Sequence, residues 1–262
     1  VLVLEAGAFD MVLKPKATDN TPMQSLREEL YPKLKAASER KSNYKVQAKP
    51  LLKRPAVATT PKRASGRFSP DIVAIGSSTG GPAALHDVIK AIPANFPVPI
   101  IVVQHMPKLF IESLATRIDR DFPIRCVVAQ DKMKLESGCI YFNPGEVHMD
   151  VVRAAGGGLS VRYNDSAPEH HCKPAVDVAL RSLHAVAPAV RTLVVILTGM
   201  GADGAAGAKL LSKVNARVIA QDEHSSVVWG MPGETVKLGA ADEVLPLVEI
   251  GPAIVRIGRG LI

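Results

Sequence analysis

The sequence predicts an α/β fold: a doubly wound, mostly parallel sheet with helices on both faces and an antiparallel hairpin at its edge. Three observations carry that prediction. Between residues 72 and 220, short near-continuous apolar runs alternate with segments whose apolar residues recur at helical spacing. That is the pattern of strands buried on both faces between helices buried on one. Glycine-rich turns follow several of the apolar runs, where strand must pass into helix. Hydrophobic residues make up 47% and charged residues 22% of 262, enough for a full core in one large domain or two modest ones.

The elements follow in order. Ile72 to Ile75 is a strand of apolar residues, and Ala83 to Ile92 is a helix whose Leu85, Val88, Ile89 and Ile92 share one face. Pro99 to Gln104 is the second strand, and Leu109 to Arg120 a helix with Ile111, Leu114, Ala115 and Ile118 on its inner face. Ile124 to Ala129 and Cys139 to Phe142 read as strands. Tyr141 to Tyr163 carries several turn signals and reads as the edge hairpin, with a strand at Gly158 to Tyr163. Ala175 to Ala187 is helical, with Asp177 at its start, where a carboxylate suits the helix dipole. Thr192 to Thr198 is a strand, Ala205 to Val214 a helix and Arg217 to Ala220 a strand. There is no internal repeat.

Residues 70–262 form this body; two regions precede it. Residues 21–69 read as a basic, Pro- and Ser-rich linker with a short helix near Ser25 to Ala37. The net charge of +7 points at first to nucleic acid, but residues 31–69 hold eleven Lys/Arg against Glu39 alone. The rest of the chain is slightly acidic, so the excess belongs to a solvated stretch and not to a nucleic-acid-binding fold. Residues 1–20 hold an apolar helix-like start, a strand-like D-M-V-L and Lys14-Pro15. They have no basic signal-peptide region, and the missing initiator Met points to a start inside a longer gene product. No apolar run approaches the ~20 residues of a membrane span. Cys126, Cys139 and Cys172 are odd in number and lack a C-x-x-C pair, which points to reduced thiols in the cytoplasm.

In parallel sheets, ligands bind beyond the carboxyl ends of the strands, and three such ends carry chemistry. G-S-S-T-G-G after Ile75 contains G-x-S-x-G, which in a strand-to-helix turn exposes Ser78 as a nucleophile beside backbone N–H donors. The bland alternative is a Gly/Ser turn or a phosphate loop. Q-H-M-P after Val103 places His105 where a general base would stand. T-G-M-G-A-D-G-A-A-G after Leu197 places Asp203 to orient that histidine.

The competing reading comes from the same loop. Gly199, Gly201 and Gly204 spell G-x-G-x-x-G between strand and helix, with Asp222 near the position of a ribose-binding acid. Against it, Asp203 lies inside the loop where a pyrophosphate would sit, and two anions repel. A metal site at His170-His171-Cys172 with His148 is a third possibility, but adjacent side chains rarely converge on one ion. Those residues read better as loop residues lining a cleft, and Trp229 as packing. A non-catalytic binding module remains open.

Taken together, G-S-S-T-G-G, Q-H-M-P, N-P-G-E-V-H-M, K-P-A-V-D, I-L-T-G-M-G-A-D-G-A-A-G and V-W-G-M-P resemble the catalytic domain of the chemotaxis protein-glutamate methylesterases (CheB) over nearly all of residues 70–262. L-E-A-G-A-F-D-M-V-L-K-P resembles the last helix and strand of a response-regulator receiver domain. The resemblance implies Ser78 as nucleophile, His105 as base and Asp203 as the orienting acid, with Thr79 and Met200 near the oxyanion site. It implies hydrolysis of glutamyl methyl esters on chemoreceptor helices, deamidation of receptor glutamines in many members, and no metal or organic cofactor. Implied partners are the receptor's cytoplasmic helices and, through a fuller receiver domain, a histidine kinase. Two departures stand out. The phosphorylated aspartate of a receiver is absent, leaving Lys14 with nothing to contact, and residues 1–20 are expected to be disordered or docked. Ala175 stands where the family usually has Ser, which puts substrate preference in question.

Overall fold

A computed structural model describes residues 10–12, 22–43 and 68–261. The receiver-like reading of residues 1–20 and most of the basic stretch, residues 44–67, lie outside the described residues except at 10–12. The chain divides into two compact units, with the boundary between Arg63 and Ala64. In the first, helix α1 (Pro22–Asn43) is longer at both ends than the helix expected at Ser25 to Ala37, and its Lys33 pairs with Asp10 at 3.4 Å.

In the second unit, β1 (Ile72–Ser77), β2 (Ile100–Gln104), β3 (Arg125–Val128), β4 (Cys139–Phe142), β7 (Thr192–Ile196), β8 (Ala216–Gln221) and β9 (Glu243–Leu245) form one sheet in the order β3-β4-β2-β1-β7-β8-β9. Every neighbouring pair is parallel. The antiparallel hairpin is β5 (His148–Arg153) with β6 (Leu159–Asn164), and it forms a sheet of its own beside the main one. Tyr141 belongs to β4 inside the main sheet, between β3 and β2.

The helices are α2 (Gly81–Ile89), α3 (Lys108–Asp121), α4 (Val176–Val186), α5 (Ala205–Ser212), α6 (Met231–Lys237) and α7 (Leu247–Gly258). Side chains alternate across the sheet, so each strand feeds two cores. Val73, Ile75, Ile100 and Val102 face Leu85, Ile89, Ile111, Ile118 and Ile254 of α2, α3 and α7. Ile72, Ala74, Ile101 and Val194 face Leu180, Leu183, Leu211 and Met231 of α4, α5 and α6, with Met149 and Val151 of the hairpin. Each such buried aliphatic side chain contributes about 1.5–3 kcal/mol.

This doubly wound arrangement decides where a site can form. From β1 the chain moves outward through β2 to β3 and β4, then returns to the opposite side of β1 to place β7. The strand order reverses at β1, and the carboxyl ends of β2, β1 and β7 stand side by side around that crevice.

Candidate active site

Ser78, His105 and Asp203 follow β1, β2 and β7, the three adjacent strands at the reversal. The turn after β1 is held on both sides: Ser78 N–H donates to Thr198 O at 3.0 Å, and Gly81 N–H returns to Ser78 O at 2.8 Å. Gly80 takes the left-handed conformation, φ 79°, that lets the chain enter α2 at once. A Cβ on Gly81 would lie 2.0 Å from Gln104 Oε1, so only glycine fits there.

His105 Nε2 lies 2.7 Å from Asp203 Oδ2, with the two side chains 10% and 2% exposed. Asp203 also accepts the N–H groups of Val176 and Asp177 at 2.7 and 2.8 Å. The carboxylate thus orients His105 and caps the N-terminus of α4. Burial pushes the Asp203 carboxyl up, but the His105 hydrogen bond and charge and the two backbone donors outweigh it and hold it below the usual range. Burial likewise pushes His105 down; its hydrogen bonds to Asp203 and Cys172 win and raise it to about 9. Asp203 thus occupies Nε2, and Nδ1 faces Cys172 Sγ at 3.4 Å. Among the described residues no hydrogen bond joins the Ser78 hydroxyl to His105, a separation common in substrate-free enzymes.

The glycine loop closes on this group. A Cβ on Gly199 would lie 2.8 Å from Ser78 Cβ and 2.3 Å from Met231 Sδ, so the loop backbone at Gly199, the residue before Met200, packs directly on the serine. Gly199 is tied to the V-V-W-G-M-P segment by Gly199 N–H to Val228 O at 3.0 Å and Met231 N–H to Gly199 O at 2.8 Å. Thr79 is buried beneath, and its carbonyl accepts from the Thr198 hydroxyl at 2.9 Å. The dinucleotide reading finds no support in this geometry. The loop's carboxylate points at a histidine, and Asp222 turns back to accept Ser225 N–H at 3.0 Å.

The histidines of the later loop have structural partners. His148 is fully buried; Nδ1 accepts Ala175 N–H at 3.0 Å and Nε2 donates to Ala167 O at 3.0 Å. The donor atoms of Glu169, His170 and Asp177 lie within 4.8 Å of one another. Each is engaged: Glu169 by Arg181, His170 by Asp177 at 2.9 Å, and Asp177 by Gly207 N–H at 2.6 Å. His171 is exposed. Trp229 Nε1–H donates to Gln221 O at 2.9 Å, in keeping with a packing role. Ala175 is fully buried at the N-cap of α4, so a serine there reads as a helix cap and not as a substrate contact.

Two residues near the site carry roles that sequence reasoning missed. Gln104 ends β2 fully buried. Its Oε1 accepts from Ser77 Oγ at 2.7 Å, and its Nε2 donates to Ser78 O at 3.0 Å and His105 O at 3.1 Å. Gln221 ends β8 in the same manner and accepts Thr198 N–H at 2.8 Å. The available signal was a polar residue closing an otherwise apolar buried strand, since such a group must find partners.

Comparison with known proteins decides the family. The family description "CheB methylesterase" matches residues 73–254. The chain belongs to the CheB methylesterase family. It is 46% identical over 191 residues to a protein-glutamate methylesterase/protein-glutamine glutaminase of Maricaulis maris, covering 73% of this chain and 47% of that protein. A relative of the same name from Nocardioides sp. is 41% identical over 265 residues, covering 97% of this chain and 69% of the relative. The chain therefore spans about half to two thirds of the length of these relatives. The crystal structure of the Thermotoga maritima CheB methylesterase catalytic domain superposes with a TM-score of 0.68 at 39% identity, covering 72% of this chain and 99% of that one. No helix among the described residues is long and apolar enough to cross a membrane.

Proposed function

We propose that this chain is a serine-type protein-glutamate methylesterase that hydrolyses glutamyl methyl esters on chemoreceptor helices to glutamate and methanol, and deamidates receptor glutamines by the same route. The 2.7 Å bond between His105 and Asp203, beside the G-x-S-x-G turn of the neighbouring strand, carries this reading. Neutral His105 takes the Ser78 proton on Nδ1 as Oγ attacks the ester carbonyl. Asp203 steadies the imidazolium that results. Backbone N–H groups of Thr79 and Met200 receive the developing oxyanion, each donor contributing about 3 kcal/mol. His105 then protonates the departing methoxide, and water, activated by the same nitrogen, releases glutamate. For glutamine the leaving group is ammonia.

In this reading residues 70–262 are the catalytic domain, residues 21–69 a basic linker and residues 1–20 the end of a receiver domain. A histidine kinase reaches the enzyme through the fuller receiver, in the cytoplasm and without a cofactor. Methanol release from methylated receptor tests the reading. The parent chain releases it, and Ser78→Ala loses on the order of a millionfold in turnover while unfolding at the parent's denaturant midpoint. Substantial release by Ser78→Ala removes Ser78 as nucleophile.

A further inference from the structure

Asp203 occupies Nε2 of His105, which leaves Nδ1 for the serine proton. In this structure Nδ1 faces a sulfur, with Cys172 Sγ 3.4 Å away. Within the reading proposed above, that places a third side chain on the nitrogen the reaction needs.

The contact is built and not incidental. Cys172 closes a tight turn in which Glu169 N–H donates to Cys172 O at 3.1 Å and Cys172 N–H to Glu169 O at 2.8 Å. His170 and His171, inside that turn, both have positive φ, 51° and 60°. Backbone strain of that kind in non-glycine residues persists only where the surroundings enforce it, and it clusters at functional sites. The surroundings are visible. Arg181 of α4 grips Glu169, His170 is bonded to Asp177 of α4, and Lys173 reaches Asp165 at 2.6 Å. Buried His148 of β5 fixes the loop at Ala167 and Ala175. The sulfur is thus aimed at His105 from a frame held at several points.

We infer that Cys172 is a positioning residue that keeps a proton on Nδ1 of His105 and thereby sets the pH at which the Ser78 relay becomes competent. The physical reason is the number of acceptors. A general base must present one bare nitrogen; Asp203 already accepts at Nε2, and with the Cys172 sulfur taken as the acceptor at Nδ1 both ring nitrogens carry a proton, which favours the doubly protonated ring. The elevated proton affinity of His105, for which Cys172 is the second favourable partner after Asp203, agrees with this geometry. The other titratable or charged side chains of the surrounding elements are Glu169 and His170 of the loop, Asp177 and Arg181 of α4, and Asp203 itself, with His170 Nε2 4.0 Å from Asp203 Oδ1. To act, His105 must shed the Nδ1 proton and exchange the sulfur for the Ser78 oxygen.

The test titrates His105 by NMR in the full chain and in Cys172→Ala and Cys172→Ser, beside the pH profile of kcat/KM for ester hydrolysis. In Cys172→Ala the His105 midpoint moves acidward by about one pH unit, giving about tenfold more neutral imidazole near neutrality. The alkaline-running limb of the kcat/KM profile moves with it. Cys172→Ser, whose hydroxyl still accepts but sits on a shorter bond and so farther from Nδ1, falls between. A midpoint that stays put overturns the inference, even if turnover falls, because a merely structural thiol would lower turnover at every pH alike. The NMR readout needs no turnover. A shifted midpoint without any methanol release upholds the thiol–imidazole coupling and counts against the esterase reading alone. Should the alanine variant fail to fold, methyl methanethiosulfonate caps the thiol of the folded parent chain. The Cys172 sulfur forms an S–S bond to the methylthio group, methanesulfinate leaves and the thiol proton goes to solvent. Cys126 and Cys139 are buried and Cys172 is partly exposed, so the cap falls on Cys172. The same acidward shift, reversed by dithiothreitol, upholds the inference, and an unmoved midpoint overturns it.

Discussion

Gln104 shows how a buried carboxamide can hold the two turns that carry the proposed nucleophile and base in register. Its three hydrogen bonds join the residue before the serine, the serine's own carbonyl and the histidine's carbonyl. Replacing it by Leu leaves buried partners unsatisfied, each costing about 1–3 kcal/mol. It also frees the Ser78 and His105 turns to drift, and a 1 Å misplacement costs about a hundredfold in rate. Gln104→Leu should therefore lose both thermal stability and about two orders of magnitude in kcat, with KM little changed. Gly81→Ala should reproduce the rate defect with Gln104 still in the sequence, because its methyl would lie 2.0 Å from Oε1 and push the carboxamide aside. Steady-state kinetics beside thermal melts check both; a Gln104→Leu enzyme with parental kcat would show that the carboxamide does not position the pair.

At the scale of elements, the N-terminus of α4 does double service. Its first two N–H groups hold Asp203 in place, while the N-cap position is Ala175, with no side-chain cap. The next N–H, of Val178, is one that a helix leaves without an intrahelical partner. Ala175→Ser should supply an acceptor for it and stabilise the chain by about 1 kcal/mol, with kcat/KM within twofold of the parent because the side chain is buried away from substrate. Urea unfolding and initial rates decide; a changed substrate preference with unchanged stability would return the position to the binding surface. This element was legible in the sequence, as were β1, β2, β7 and their turns. Strands buried on both faces leave continuous apolar runs, and reactive residues sit directly after them. The last forty residues were not. α6 has seven residues and begins Met-Pro-Gly, β9 has three, and α7 carries Gly251 and Pro252 in its interior. The glycines of α7 have packing reasons that only coordinates display: a Cβ on Gly251 would lie 2.5 Å from Val88 O of α2, and one on Gly258, at the helix end, would meet the Phe96 ring at 2.4 Å. The site divides in the same way. The placement of Ser78, His105 and Asp203 after adjacent strands follows from the strand pattern, whereas Cys172 meets His105 across a sequence separation of 67 that no local pattern encodes.

For the molecule as a whole, the His105–Asp203 bond links β2, the loop after β7 and the start of α4, so its protonation state bears on global stability. Asp203 is held below 3.8 in the folded chain. Its contribution is complete above 3.8 and lost as pH falls beneath that value. His105 runs the other way. Its folded value near 9 lies above the unfolded 6.5, so its contribution is complete below 6.5 and lost as pH climbs toward 9. The pair therefore stabilises the fold most between 3.8 and 6.5 and least where a neutral imidazole is available for chemistry. Stability and activity should consequently trade against each other above pH 6.5, the denaturant midpoint declining as kcat/KM rises. His105→Gln should remove the decline over that window by removing the titrating group. Equilibrium unfolding from pH 5 to 9 tests this. A slope that survives in His105→Gln would assign it to other groups, and a flat parental curve would mean that the folded protein does not raise the proton affinity of His105.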